Sequence, residues 1–70
     1  MIPLSLSEPE KEVVIQRIGG MPEVKKHLET LGFTVGETVS LVNRLNGSVI
    51  VKVKESRIAI GEELARKIMV

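Results

Sequence analysis

Cysteine, aspartate, tryptophan and tyrosine are all missing from this 70-residue chain, and phenylalanine and histidine each occur once, as Phe33 and His27. Without cysteine there is no disulfide, no thiolate metal site and no thiol redox centre, a composition that fits a reducing compartment. Without aspartate a Ser-His-Asp triad cannot be built. A zinc site with a single histidine would have to draw most of its ligands from glutamate, and one aromatic ring offers little for base stacking. A surplus of one charge is missing too: ten Lys and Arg face nine acidic residues, for a net charge of +1. The signs are mixed along the chain, which is a poor electrostatic footprint for nucleic acid. No apolar run approaches the roughly 20 residues that span a bilayer, so no direct membrane insertion is expected. "MIPLSLSEPEKE" has neither the basic start nor the apolar stretch of a signal peptide.

What is present points to one small globular domain over residues 1–70, with 43% hydrophobic residues spread along the whole chain. "PLSL" suggests a short extended piece at Leu4 to Leu6, followed by a polar turn around Ser7 to Glu10. "EVVIQRI" is rich in strand formers but its alternation is broken: Val13 and Ile15 point one way, Val14 and Ile18 the other. A bulge or coverage on both faces would explain that. After Gly19 and Gly20, Pro22 suits a first helical turn, and Met21, Val24, Leu28 and Leu31 form one stripe. A helix over about 21–31 is predicted, closed by Gly32.

Two hairpins follow. A loop of Asn46 and Gly47 alone would set Leu41 opposite Lys52 and put the apolar sets on opposite faces. A three-residue loop of Leu45, Asn46 and Gly47, with a bulge at Gly47, instead pairs Leu41 with Val51 and Val39 with Val53. For the second hairpin, a loop of Glu55 and Ser56 places Val53 opposite Ile58 and Val51 opposite Ile60. "GEELARKIM" reads as a short closing helix, with Glu62 and Glu63 at its positive end and Leu64, Ala65 and Ile68 as its apolar face. The final "MV" can return as a strand. About five short strands with an inserted helix make a mainly β, small, partly open barrel the economical fold.

No residue set stands out as catalytic. Glu62 and Glu63 are adjacent and diverge around a helix axis. "IGGMPE" and "GFTVG" match no phosphate loop, and no cofactor is expected. Lys52, Lys54 and Arg57 lie close together and could touch phosphates, although a solvated strand face explains them as well. Val42 and Ile50 fall on the face opposite Leu41 and Val51, and become neighbours if Asn43 pairs with Val49. That patch is either covered by the helix or a contact surface.

"LETLGFTVGETVSLV", followed by "VIVKVKESRIAIGEELARKIMV", resembles the FeoA family of small cytosolic proteins of bacterial ferrous iron uptake, a domain also found at the C-terminus of iron-dependent repressors. The similarity covers nearly the whole chain, from "PLSL" and "VVIQRIGG" to "EELARKI". It implies an SH3-like barrel with a helical insertion, a cytoplasmic location and no enzymatic activity. It also implies a regulatory partnership with FeoB, the membrane transporter that carries a cytosolic GTPase domain. On that resemblance, Lys25, Lys26 and His27 on the helix, with Val42 and Ile50 on the sheet, are the expected partner-binding residues. The family commonly has glycine where Glu55 stands, so a strained or differently built turn is expected there. An RNA-binding barrel acting through Lys52, Lys54 and Arg57 is the alternative, as is a metal-sensing module using His27 and Glu29. A monomer is expected. Phe33 is expected in the core against Leu28, Leu31 and Val39.

Overall fold

The first apolar run divides into two strands, Glu12–Val14 (β1) and Arg17–Ile18 (β2), that belong to different sheets. The computed structural model describes all residues from Met1 to Val70. β1 pairs antiparallel with Thr38–Leu45 (β3), and β2 pairs antiparallel with Ile68–Met69 (β6). Ile15, at the corner, is buried; its N–H donates to the Glu37 carbonyl at 2.9 Å and its own carbonyl accepts from Gly36 at 2.8 Å. The broken alternation of "EVVIQRI" is therefore neither a bulge nor double coverage but a change of sheet, and it brings the strand total to six.

The larger sheet runs β1, β3, Ser48–Val53 (β4), Ser56–Gly61 (β5), all antiparallel. With β2 and β6 as a separate pair, the strands wrap a shared core without closing into one barrel. The expected partners Leu41 with Val51 and Val39 with Val53 are both found, but by another route. The β3–β4 loop is Asn46 and Gly47, with Leu45 paired to Ser48, and the extra residue sits farther down, at Val42, between the Leu41 and Asn43 pairings. A two-residue turn starts the ladder in the register that would set Leu41 opposite Lys52, and the bulge at Val42 corrects it before Leu41 and Val39 are reached. Gly47 alone takes positive φ, 81°, rather than both turn residues as a type I′ turn requires.

In the β4–β5 hairpin the turn residues are Lys54 and Glu55, with Val53 paired to Ser56 and Val51 to Ile58. The expected loop was one residue too late and the register two residues off. A shift of two keeps every side chain on its face, so alternation cannot detect it. The unusual backbone falls on Lys54, at φ 57°, and not on Glu55.

The helix spans Pro22–Thr30 (α1), with Met21 as an extended N-cap and Pro22 as its first residue. Leu28 is buried, Val24 and Leu31 are half-buried, and Met21, which precedes the helix, is exposed and drops out of the expected stripe. Gly32 follows at φ 104°. Its N–H donates to the Glu29 carbonyl and the Phe33 N–H donates to the Leu28 carbonyl, both at 2.9 Å. These two bonds are a Schellman ending, whose companion apolar contact joins the residue after the glycine to the one near the helix end. Here that pair is Phe33 and Leu28, both fully buried.

At the N-terminus, Leu4–Leu6 is a 3₁₀ turn and not an extended piece. The Ser7 N–H and Oγ both reach the Leu4 carbonyl, at 3.0 and 2.9 Å, and hold the turn. An extended chain would put Leu4 and Leu6 on one side, whereas the turn buries Leu4 and leaves Leu6 exposed. At the other end, Glu62–Ala65 (α2) is a single helical turn with Ala65 buried, and the chain returns as β6. The core comprises Leu4, Ile15, Leu28, Phe33, Val39, Leu41, Val49, Val51, Val53, Ile60, Ala65 and Ile68. No helix is long and apolar enough to cross a membrane.

Candidate docking surface

The outer face of the larger sheet carries a row of side chains set by strand pairing. Glu12 on β1 lies beside Ser40 on β3, Ser40 beside Lys52 on β4, and Lys52 beside Arg57 on β5. Because alternate residues share a face, Leu41, Val51 and Val53 point into the core while this row lies on the other face, with Glu12, Lys52 and Arg57 exposed and Ser40 buried among them. An open groove of about 340 Å³ follows the row, lined by Glu10, Glu12, Ser40, Val42, Lys52 and Arg57 among others. Its two walls differ in sign: glutamates stand on the β1 side and cations on the β4–β5 side. Lys54 is engaged with Glu37 at 3.8 Å, whereas no carboxylate lies within ion-pair distance of Lys52 or Arg57.

The bulge places Val42 in this groove, half-buried. Ile50 is half-buried as well, but its pairing partners are Asn43 and Ala59, so the expected pairing of Asn43 with Val49 does not form. The extra residue at Val42 sets Asn43 in the ladder opposite Ile50, so that Val42 and Asn43 together face that one partner position. Lys25, Lys26 and His27 are all exposed on α1, and none of them lines the groove. Of the five expected contact residues, three lie on α1, Val42 lines the groove, and Ile50 lies on β4 outside the groove lining. Nowhere do three His, Asp or Glu side chains gather in a cluster that could hold a metal ion.

Two residues with structural weight here had no signal in the sequence. Arg44, whose pairing partner is the buried Val49, reaches the N-terminal turn: Nε and Nη2 donate to the Ser5 carbonyl at 3.0 and 2.7 Å, and Nη2 to the Ser7 carbonyl at 3.0 Å. Glu10, on the acidic wall, has φ 64°, and its N–H donates to the Leu41 carbonyl at 2.6 Å. The polar turn around Ser7 to Glu10 was legible, but its docking on β3 was not.

The arrangement is that of a small SH3-like fold. Residues 2–70 match the family model described as the FeoA domain. The chain is 36% identical, over its whole length and 85% of the relative's, to a Methanocaldococcus jannaschii protein provisionally named Fe(2+) transport protein A. It therefore belongs to the FeoA family. Among solved structures it is similar to an iron uptake regulatory protein (FeoA), with 30% identity, TM-score 0.87, and 96% of this chain and 89% of that one covered. It also superposes on Stenotrophomonas maltophilia FeoA, described as a prokaryotic SH3 domain protein and crystallised with zinc. That likeness, at TM-score 0.81 and 23% identity over 99% of this chain and 88% of the other, concerns the fold.

Proposed function

We propose that this protein is a non-enzymatic accessory protein of ferrous iron uptake, working in the cytoplasm by docking on the cytosolic part of a FeoB-type membrane transporter. Membership of the FeoA family is the observation that carries this reading. Residues 1–70 act as one docking unit. The exposed cations Lys25 and Lys26 with His27 on α1, and the half-buried Val42 and Ile50 on the sheet, supply its contacts. A mixed surface of this kind suits a reversible regulatory contact, in which a few apolar anchors give affinity and surrounding charges give orientation and speed of encounter.

The direct test is capture of purified FeoB-type transporter by this protein, with no nucleotide, with GDP and with a GTP analogue. Binding in at least one state is expected, and absence of binding in all three would discard the proposal. A second reading, contact with RNA, is favoured by the facing cations Lys52 and Arg57. A gel shift at low salt separates the two: RNA retention that fades steeply with added salt would mark a phosphate contact.

A further inference from the structure

The outer edge of β5 is unpaired, and its chemistry specifies what can pair with it. In an antiparallel ladder, residues alternate between those that exchange hydrogen bonds with the neighbouring strand and those whose N–H and C=O point away from it. The β4–β5 turn is two residues long, with Val53 and Ser56 closing it, so Ser56, Ile58 and Ile60 bond to β4. The Glu62 N–H continues that series to the Gly47 carbonyl at 2.9 Å. Arg57 and Ala59 therefore turn both their backbone groups outward, whereas at Gly61 only the N–H does so, because Gly61 caps α2 and its carbonyl opens that helix.

Natural edge strands are normally blunted by shortness, proline, a bulge or a line of charges. β1, the opposite edge, is only three residues long. β5 has six residues with no proline and no break in its register, and the outward positions beyond Arg57 are the small residues Ala59 and Gly61, both exposed.

Charge then selects the strand. Arg57 sits opposite Lys52 at a non-hydrogen-bonded position, where facing side chains are closest and like charges repel. Neither cation has a carboxylate within ion-pair distance. A strand added along β5 would extend the row Glu12, Ser40, Lys52, Arg57 by one residue, and a glutamate or aspartate there would offset both positive charges.

We propose that β5 is a strand-addition site for an extended acidic segment of a partner protein, which pairs with the backbone of Arg57 and Ala59 and with the Gly61 N–H, and sets a carboxylate beside Arg57 and Lys52. Backbone pairing supplies affinity and the carboxylate sets register. The site is independent of which protein delivers the segment.

The test uses the full chain in solution, followed residue by residue through its amide signals. The probe is a capped synthetic peptide of sequence Thr-Glu-Val-Glu-Val-Glu-Thr, with a counterpart carrying Lys for each Glu. In the free protein the amides of Arg57, Ala59 and Gly61 should exchange with solvent faster than those of Ile58 and Ile60. The glutamate peptide should shift and slow those three, and the lysine peptide should not. Arg57→Glu should weaken the glutamate peptide by about tenfold and improve the lysine peptide. Ala59→Pro removes an outward N–H without touching the β4–β5 ladder and should abolish the response. Should that variant fold poorly, Arg57→Glu, a change to an exposed side chain, still decides. An equal response to both peptides, or shifts centred on another surface, would overturn the proposal. Protection of the three amides that grows with protein concentration in the absence of peptide would also overturn it, by assigning the edge to a second copy of the chain.

Discussion

Arg44 grips Ser5 across 39 positions of sequence, its guanidinium donating to one carbonyl through both Nε, at 3.0 Å, and Nη2, at 2.7 Å. The same Nη2 also reaches the Ser7 carbonyl, so one side chain ties the N-terminal turn to β3. Arg44→Lys keeps the charge and loses the fork. A loss of about 1–2 kcal/mol is expected for Arg44→Lys in urea unfolding, and slightly more for Arg44→Ala. Faster amide exchange at Ser7, which donates within the turn, should accompany it. A change below about 0.3 kcal/mol in both variants would show that the turn holds itself.

Phe33 is the only aromatic residue and is fully buried, joined to Leu28 by both packing and the helix-ending bond. Phe33→Ala should therefore cost about 3–5 kcal/mol, from lost burial and the cavity left behind. For a domain of this size that approaches the whole stability, so unfolding at room temperature is an acceptable outcome. A loss under about 1 kcal/mol is not.

Gly32 and Gly61 make opposite cases. At Gly32 the backbone has φ 104°, and an added Cβ would meet Val53 Cγ1 at 3.2 Å, whereas at Gly61 φ is −63° and nothing lies within 4 Å. Gly32→Ala should destabilise by about 1–2 kcal/mol, through left-handed strain and crowding of the core. Gly61→Ala should be neutral to within about 0.5 kcal/mol. Thermal melts of the two variants side by side check the contrast.

Docking through α1 and the sheet makes a separable prediction. Lys25→Glu combined with Lys26→Glu alters two exposed side chains and should leave the melting temperature within a few degrees. Transporter capture should fall by about tenfold, mostly through a slower on-rate, and the deficit should shrink in high salt. Unchanged capture would remove α1 from the contact surface.

Much of this fold was legible because periodicity carries it. Pro22 and the spacing of Val24, Leu28 and Leu31 marked α1, Gly32 marked its end, and the alternation of Val49, Val51 and Val53 marked β4. The same period of two is blind to what leaves faces unchanged. It could not tell a loop of Lys54 and Glu55 from one a residue later, because the two registers differ by two. Nor could it place the extra residue of the first hairpin at Val42 instead of at the turn, since either choice brings Leu41 beside Val51. That choice decides which residues are neighbours on the outer face: Asn43 takes the pairing with Ile50, and Val42 is the extra residue next to it.

The sequence by itself determined the helix and its ending, the existence of two hairpins, the core faces of β3 and β4 and the family, because these rest on local chemistry and on patterns that repeat within a few residues. Only the tertiary structure decided that the first apolar run divides between two sheets, that Leu4–Leu6 coils under the hand of Arg44, and that Lys52 and Arg57 meet beside an open edge. The first two depend on contacts between distant parts of the chain and the third on a register that period-two alternation cannot fix, so none of them is marked on the residues nearby.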